Sequence, residues 1–332
     1  MNTSKENNAT QNIVVRNLNR VVHAKEFSIF LPLLALCIVT NIINPSFLGF
    51  SNAMDVLRST SFYVIIAVGM TFTIVGGGMD LSVGSTIALC GYVTGMALSA
   101  GIPILLSILI GLLLGAFIGL MNGLIIVCFG IPPFITTLGM MYIVKGMVYV
   151  LGQGRPIYPL PDSFNKIAQS TLGGVPIPVY IAAVVLLVGS FVLNNTGYGR
   201  SVMAIGGNEA AANTSGIDIK KTKVLTYIFT SMLSAVTGIL MASRLSSAAA
   251  GAGDGWEMII IAAVIIGGTS LFGGSGSILG TLIGAAIMTV MSNAMVMVKI
   301  SVYWQNIVVG AIIIAAVIID TFRRRKTISA KE

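Results

Sequence analysis

Along this chain the apolar residues neither alternate as in a strand nor keep to one face of a helix. They come in nearly continuous runs, separated by short polar or glycine-rich breaks. A helix needs about 20 apolar residues to cross the hydrocarbon core of a bilayer. Ten runs are candidate spans: 27–48, 59–77, 82–100, 103–128, 132–151, 177–193, 223–243, 258–272, 276–298 and 302–320, the eighth of them short. In lipid a helix satisfies its backbone internally, so the expected fold is all-α, a polytopic membrane protein with about ten transmembrane helices.

Composition sharpens this. Of 332 residues, 55% are hydrophobic and 9% charged, too little polar surface to coat a water-soluble globule. No polar stretch is long enough to fold by itself. The expected organisation is a leader over 1–26, one transmembrane domain over 27–320 and a basic tail over 321–332. The first apolar run has no small-residue cleavage site after it and reads as an uncleaved span.

A net charge of +8 would suit nucleic acid, but the basic residues flank spans instead of lining a soluble face. With the leader inside, Lys5, Arg16, Arg20 and Lys25, then Arg200, Lys220, Lys221 and Lys223, then Arg323, Arg324, Arg325, Lys326 and Lys331 fall on one side. Arg58, Arg155, Lys166, Arg244 and Lys299 fall on the other. Positive charge collects in the cytoplasm, which places both termini and the 194–222 segment there. The long outside connection, 152–176, holds Pro156, Pro159, Pro161 and Pro176. These prolines stiffen it against regular helix, and it offers a surface to an external partner.

Gly111, Gly115, Gly119 and Gly123 recur every fourth residue, a groove into which a neighbouring backbone can move closely. Glycine also marks two breaks between spans, Gly76 to Ser85 and Gly267 to Ser277. Irregular backbone of this kind belongs where protein buries it or a wet cavity receives it.

Candidate chemistry is sparse. No nucleophile–base pair, phosphate-binding loop or metal constellation is assembled, so no catalytic residue, metal site or cofactor is expected on this chain. Cys37, Cys90 and Cys128 lie in apolar runs as packing residues, and His23 lies in the basic leader. Asp80 stands out, an acid between two spans with Ser82 and Ser85 beside it. Two readings stand open: a cap accepting from the N–H of Ser82 or Val83 at a helix start near Leu81, or a coupling or gating carboxylate. Asn122, Thr136, Thr137, Asn293 and Gln305 can hydrogen-bond a passing hydroxylated solute or one another across helices. The nearly uncharged interior favours a neutral polar cargo.

The polar island Gly206 to Ile217 interrupts this apolar chain on the lysine-rich side. Asn208 suits an N-cap, Glu209 complements the positive helix end, Ala210 to Ala212 form helix well and Gly216 ends it. A short cytoplasmic helix with a small-residue face is expected, a docking surface for a soluble partner.

Several of these stretches, Gly76 to Ser85, Pro133-Phe134-Ile135-Thr136-Thr137-Leu138-Gly139, Gly199-Arg200 leading into Gly206 to Ile217, and Ile261 to Ser270 followed by Gly280-Thr281-Leu282-Ile283-Gly284, resemble the ribose-type permeases of ABC sugar importers. The likeness runs in order from about Asn44 to Asp320. It implies a type II ABC importer-like bundle in a bacterial cytoplasmic membrane. The implied partners are a second permease subunit, an extracytoplasmic sugar-binding protein and a cytoplasmic ATPase with two fused cassettes that holds ATP and Mg; nucleic acid is not among them. Gly207, Asn208, Glu209, Ala210, Ala211, Ser215 and Gly216 would couple to that ATPase. Asp80, Ser82, Ser85, Asn122, Phe134, Thr136, Thr137, Glu257 and Asn293 are candidates for the translocation path or its gate. Where the family commonly has an acid after Trp256-Glu257-Met258, this chain has Ile259. The competing reading is a proton-coupled secondary transporter of a small polar solute, with Asp80 carrying the proton.

Overall fold

The computed structural model describes residues 25–329. The leader through residue 24, with Lys5, Arg16, Arg20 and His23, and the last three residues, with Lys331, lie outside the described residues. The helices are α1 (Lys25–Ile43), α2 (Phe50–Val75), α3 (Val83–Ser99), α4 (Ile104–Phe129), α5 (Pro133–Gly152), α6 (Asp162–Gln169), α7 (Ile177–Asn195), α8 (Gly197–Gly207), α9 (Glu209–Thr214), α10 (Ile219–Leu245), α11 (Trp256–Ile266), α12 (Ile278–Met297) and α13 (Val302–Ser329). A hairpin of β1 (Thr171–Leu172) and β2 (Val175–Pro176) lies between α6 and α7.

Among the described residues, seven helices, α2, α4, α5, α7, α10, α12 and α13, are long and apolar enough to cross a membrane, and the apolar parts of α1, α3 and α11 are shorter. One helix thus stands at each expected span. Three boundaries differ. Ser51, Asn52, Asp55 and Arg58 hide the first turns of α2, which begins at Phe50 and not near 59. The helix of α13 runs on through Ser329, past the expected end at 320. Gly267 and Gly268, the latter at φ +86°, end α11 at Ile266 instead of 272.

Two connections correct the sequence reading. The 152–176 segment is not free of regular structure: α6 starts directly after Pro161, whose carbonyl accepts from the amides of Phe164 and Asn165. A proline just ahead of a helix costs it no hydrogen bond. The stretch after α10, expected as an outside loop, re-enters the bundle. Ala248 packs at Gly95 near one end of α3, and Gly253 reaches Gly84 near the other. The two glycines are eleven helical steps apart, a descent of about 16 Å. Ala248, Ala250 and Gly253 are buried, so protein covers this irregular backbone, and α11 is short because it starts part-way down.

The centre of the bundle is α2, buried from Thr60 through Val75 apart from the half-buried Tyr63, with α7, α10, α11 and α12 around it. The glycine stripe of α4 faces α10: a Cβ on Gly119 or Gly123 would stand 2.7 Å from Ile228 Cα or Val224 Cα. On its other face α4 exposes Leu105, Leu109, Leu113 and Phe117, side chains suited to lipid. Cys90 is buried as a packing residue, but Cys128 is exposed, because it lies off the glycine face of α4.

Candidate functional site

Two places gather the polar residues, and glycine joins them. The first is buried. After α2 ends at Val75, the chain turns through Gly76 to Gly78 and presents Asp80 just ahead of α3. Asp80 Oδ1 accepts from the backbone N–H of Ser82 at 2.9 Å and from Ser82 Oγ at 2.5 Å. The carboxylate therefore braces the turn leading into α3, which starts at Val83, two residues beyond the expected Leu81. Asn122 of α4 donates Nδ2 to Ser82 Oγ at 2.9 Å, and Ser85 Oγ donates to the Ser82 carbonyl. Thr137 of α5 donates to the Met79 and Pro133 carbonyls. From α10, Ser231 Oγ lies 3.5 Å from Asp80 Oδ2.

Asp80, Ser82, Asn122 and Thr137 have no appreciable exposure. Burial raises the Asp80 carboxyl to about 6, against the lowering effect of its hydrogen bonds from Ser82 and Ser231. No cation neutralises it within ion-pairing distance among the described residues. Nearby, Asn122 Oδ1, Thr136 Oγ1 and the Tyr227 hydroxyl are buried without a hydrogen-bond partner.

Other candidates lie elsewhere. Glu257 approaches the first turn of α3 at the foot of the re-entrant segment, where Gly84 leaves room for its carboxylate. Phe134 is exposed on α5. Asn293 exchanges amide hydrogen bonds with Asn52 at 2.9 and 3.1 Å, away from the cluster. Ile259 packs into the apolar core. Reading by sequence missed Tyr227 and Ser231. Their signal was the run Thr226, Thr230, Ser234 and Thr237 in an apolar helix, a polar stripe at helical spacing.

The second place is exposed. Asn208 caps α9, its Oδ1 accepting from the Ala211 N–H at 3.0 Å. Lys223 Nζ reaches both oxygens of Glu209 at 2.8 Å. Gly216, at φ +80°, closes the turn while the Ile217 amide donates to the Ala212 carbonyl. Ala212 is buried, whereas Gly207, Asn208, Glu209, Ala210, Ala211, Ser215 and Gly216 are all exposed. A groove of about 620 Å³ opens beside α9, bounded by Ile126, Val127, Gly130 and Pro133 and by Glu209, Asp218, Lys220 and Lys223.

Between the two places, Gly206 of α8 lies against the Val75 carbonyl and the Gly274 amide, so close that a Cβ would collide with the former. The Gly274 amide itself donates to the Val75 carbonyl at 2.8 Å. Both glycine-rich breaks therefore meet the root of α9 backbone to backbone.

Residues 52–317 match the family model described as branched-chain amino acid transport system / permease component. This chain belongs to that permease family. The permease is 41% identical to the ribose import permease protein RbsC of Haemophilus influenzae over 297 residues, 88% of this chain and 92% of the relative. It is 41% identical to RbsC of Bacillus subtilis, covering 88% of this chain and 91% of the relative. It is 36% identical to the L-arabinose transport system permease protein AraH of Escherichia coli, covering 85% and 86%. No solved structure gives a significant match. The matched region holds the permease's buried cluster, the glycine junction and α9.

Proposed function

We propose that this permease is the membrane subunit of an ATP-driven importer for a simple sugar of the ribose or arabinose kind. Its α9 is a cytoplasmic handle for a separate ATPase. The supporting observation is the handle: a capped six-residue helix with an exposed alanine face, rooted by backbone contacts in two breaks that lead directly into α2, α3, α11 and α12. A load on α9 is carried to those helices without passing through flexible side chains. The ATPase, with two fused cassettes, holds ATP and Mg, and this chain binds no cofactor. A second permease subunit completes the path, and an extracytoplasmic binding protein delivers solute. Both termini lie in the cytoplasm. Asp80, Ser82, Ser85, Asn122, Thr136 and Thr137 form the gate region, where Asn122, Thr136 and Tyr227 hold unspent hydrogen-bonding capacity for a hydroxylated solute or a rearranged state.

The test is reconstitution with the ATPase and binding protein. Uptake should depend on both and survive dissipation of the proton gradient while ATP is maintained. Ala211→Trp, which bulks the handle's exposed face, should leave insertion intact and disconnect ATP hydrolysis from uptake. Normal coupled transport by that variant, or uptake that collapses with the gradient, defeats the reading.

A further inference from the structure

The end of the bundle opposite α9 holds a cavity of about 110 Å³ lined by Ser59, Phe62 and Tyr63 of α2, Met241, Arg244 and Leu245 of α10, and Trp256 of α11. Its walls are aromatic and ordered by one another: Tyr63 and Trp256 meet edge to face with ring centres 4.7 Å apart. The Arg244 guanidinium stands over the Phe62 ring at 5.6 Å and lies 3.4 Å from Ser59 Oγ. Among the described residues no carboxylate pairs with Arg244. A guanidinium held against a ring presents a fixed fork of donors, here beside the hydroxyl of Ser59.

We propose that this cavity is a transit site for a neutral sugar. One apolar ring face stacks on Trp256 while Arg244 donates to two adjacent hydroxyls. The inference rests on the reading of the chain as a sugar permease. The aromatic walls favour a neutral polyol over an ion, since they suit the C–H face of a sugar ring and do nothing for a hydrated anion. The guanidinium fork fits two neighbouring hydroxyls but also a carboxylate, which makes acetate the competitor to test. The cavity is smaller than the ~300 Å³ at which pockets begin to enclose a drug-sized ligand, so a solute is gripped on one side only. A conduit needs such weak binding, favourable enough for entry and loose enough for release. Its place is equally apt: Trp256 begins α11 at the foot of the re-entrant segment, next to Glu257, which abuts the start of α3.

The chain has two tryptophans, and Trp304 is exposed on α13. In a Trp304→Phe background, Trp256 is the sole indole reporter. Titrating D-ribose, L-arabinose and, for comparison, acetate into the purified full chain should change Trp256 emission saturably with a neutral sugar, half-saturating on the order of 1 mM or above. Arg244→Lys keeps the charge and loses the fork, and should weaken that response about tenfold. Tyr63→Phe keeps the edge-to-face contact and should act less. ATP-driven uptake by the reconstituted Trp304→Phe transporter is measured in parallel. Sugar uptake without any saturable emission change, or a response to acetate and not to sugar, overturns the transit site. Absence of sugar uptake altogether overturns the sugar-permease reading instead.

Discussion

The amide of Gly274 donates to the carbonyl of Val75 at 2.8 Å, which ties the break after α11 to the end of α2 and seats Gly206 against both. That seat has no room for a methyl group, since a Cβ on Gly206 would collide with the Val75 carbonyl and lie 2.6 Å from the Gly274 amide. Neither obstacle is a side-chain tip that can swing away. Gly206→Ala should therefore cost at least the ~1–3 kcal/mol typical of overpacking and lower the melting temperature in detergent. Gly207→Ala is the control, because the nearest heavy atom to its Cβ is 3.9 Å away. Equal melting temperatures for the two variants would show that the junction yields and carries no load.

Asp80 separates bracing from proton coupling. Its carboxyl lies near 6 against an ordinary 3.8, raised by burial. Between those values the folded protein binds more protons than the unfolded chain, so stability should rise as pH falls from 7 through 6 towards 4. The gain is on the order of 3 kcal/mol. Asp80→Asn keeps an oxygen for the Ser82 donors and removes the buried charge. It should melt no lower than the parent at pH 7, lose this pH slope and keep ATP-driven uptake. Asp80→Ala leaves the Ser82 amide without its acceptor and should lose ~1–3 kcal/mol. An Asn variant that folds, binds its partners and yet transports nothing would give the Asp80 carboxylate a coupling or gating role beyond bracing.

The spans were legible because lipid leaves a long apolar run few alternatives, and the α4 stripe was legible because glycine every fourth residue has one geometric meaning. The re-entrant 246–255 segment was not. Its small residues and glycines, Ala248 to Gly255, read as an outside connection between spans, and only the contacts of Gly84 and Gly95 on α3 reveal that Ala248 and Gly253 pack into the bundle. The partners of the polar residues were hidden for a similar reason. Asn293 finds Asn52 from 241 residues away, and Ser231 reaches Asp80 from 151. Hydrophobic periodicity reports which face is buried and not what it meets. The capped α9 was the easiest local feature to anticipate, because Asn208 and Gly216 act within their own turn.

The contact between α4 and α10 also supports the buried cluster. A Cβ on Gly119 would meet the Tyr227 carbonyl and stand 2.7 Å from Ile228 Cα, so α4 and α10 approach at a distance that only glycine permits. Asn122, one turn along α4, donates to Ser82 Oγ, and Ser231, one turn along α10, faces Asp80. Gly119→Leu must push these helices apart and draw both residues from the cluster. Several contacts fail together, so the loss should exceed the ~1–3 kcal/mol of a single overpacked site, and thermal melting in detergent should show a fall of many degrees. Gly146→Leu in α5, where a Cβ meets nothing within 4 Å, should melt like the parent. If both leucines are tolerated alike, the α4–α10 contact does not hold the cluster in place.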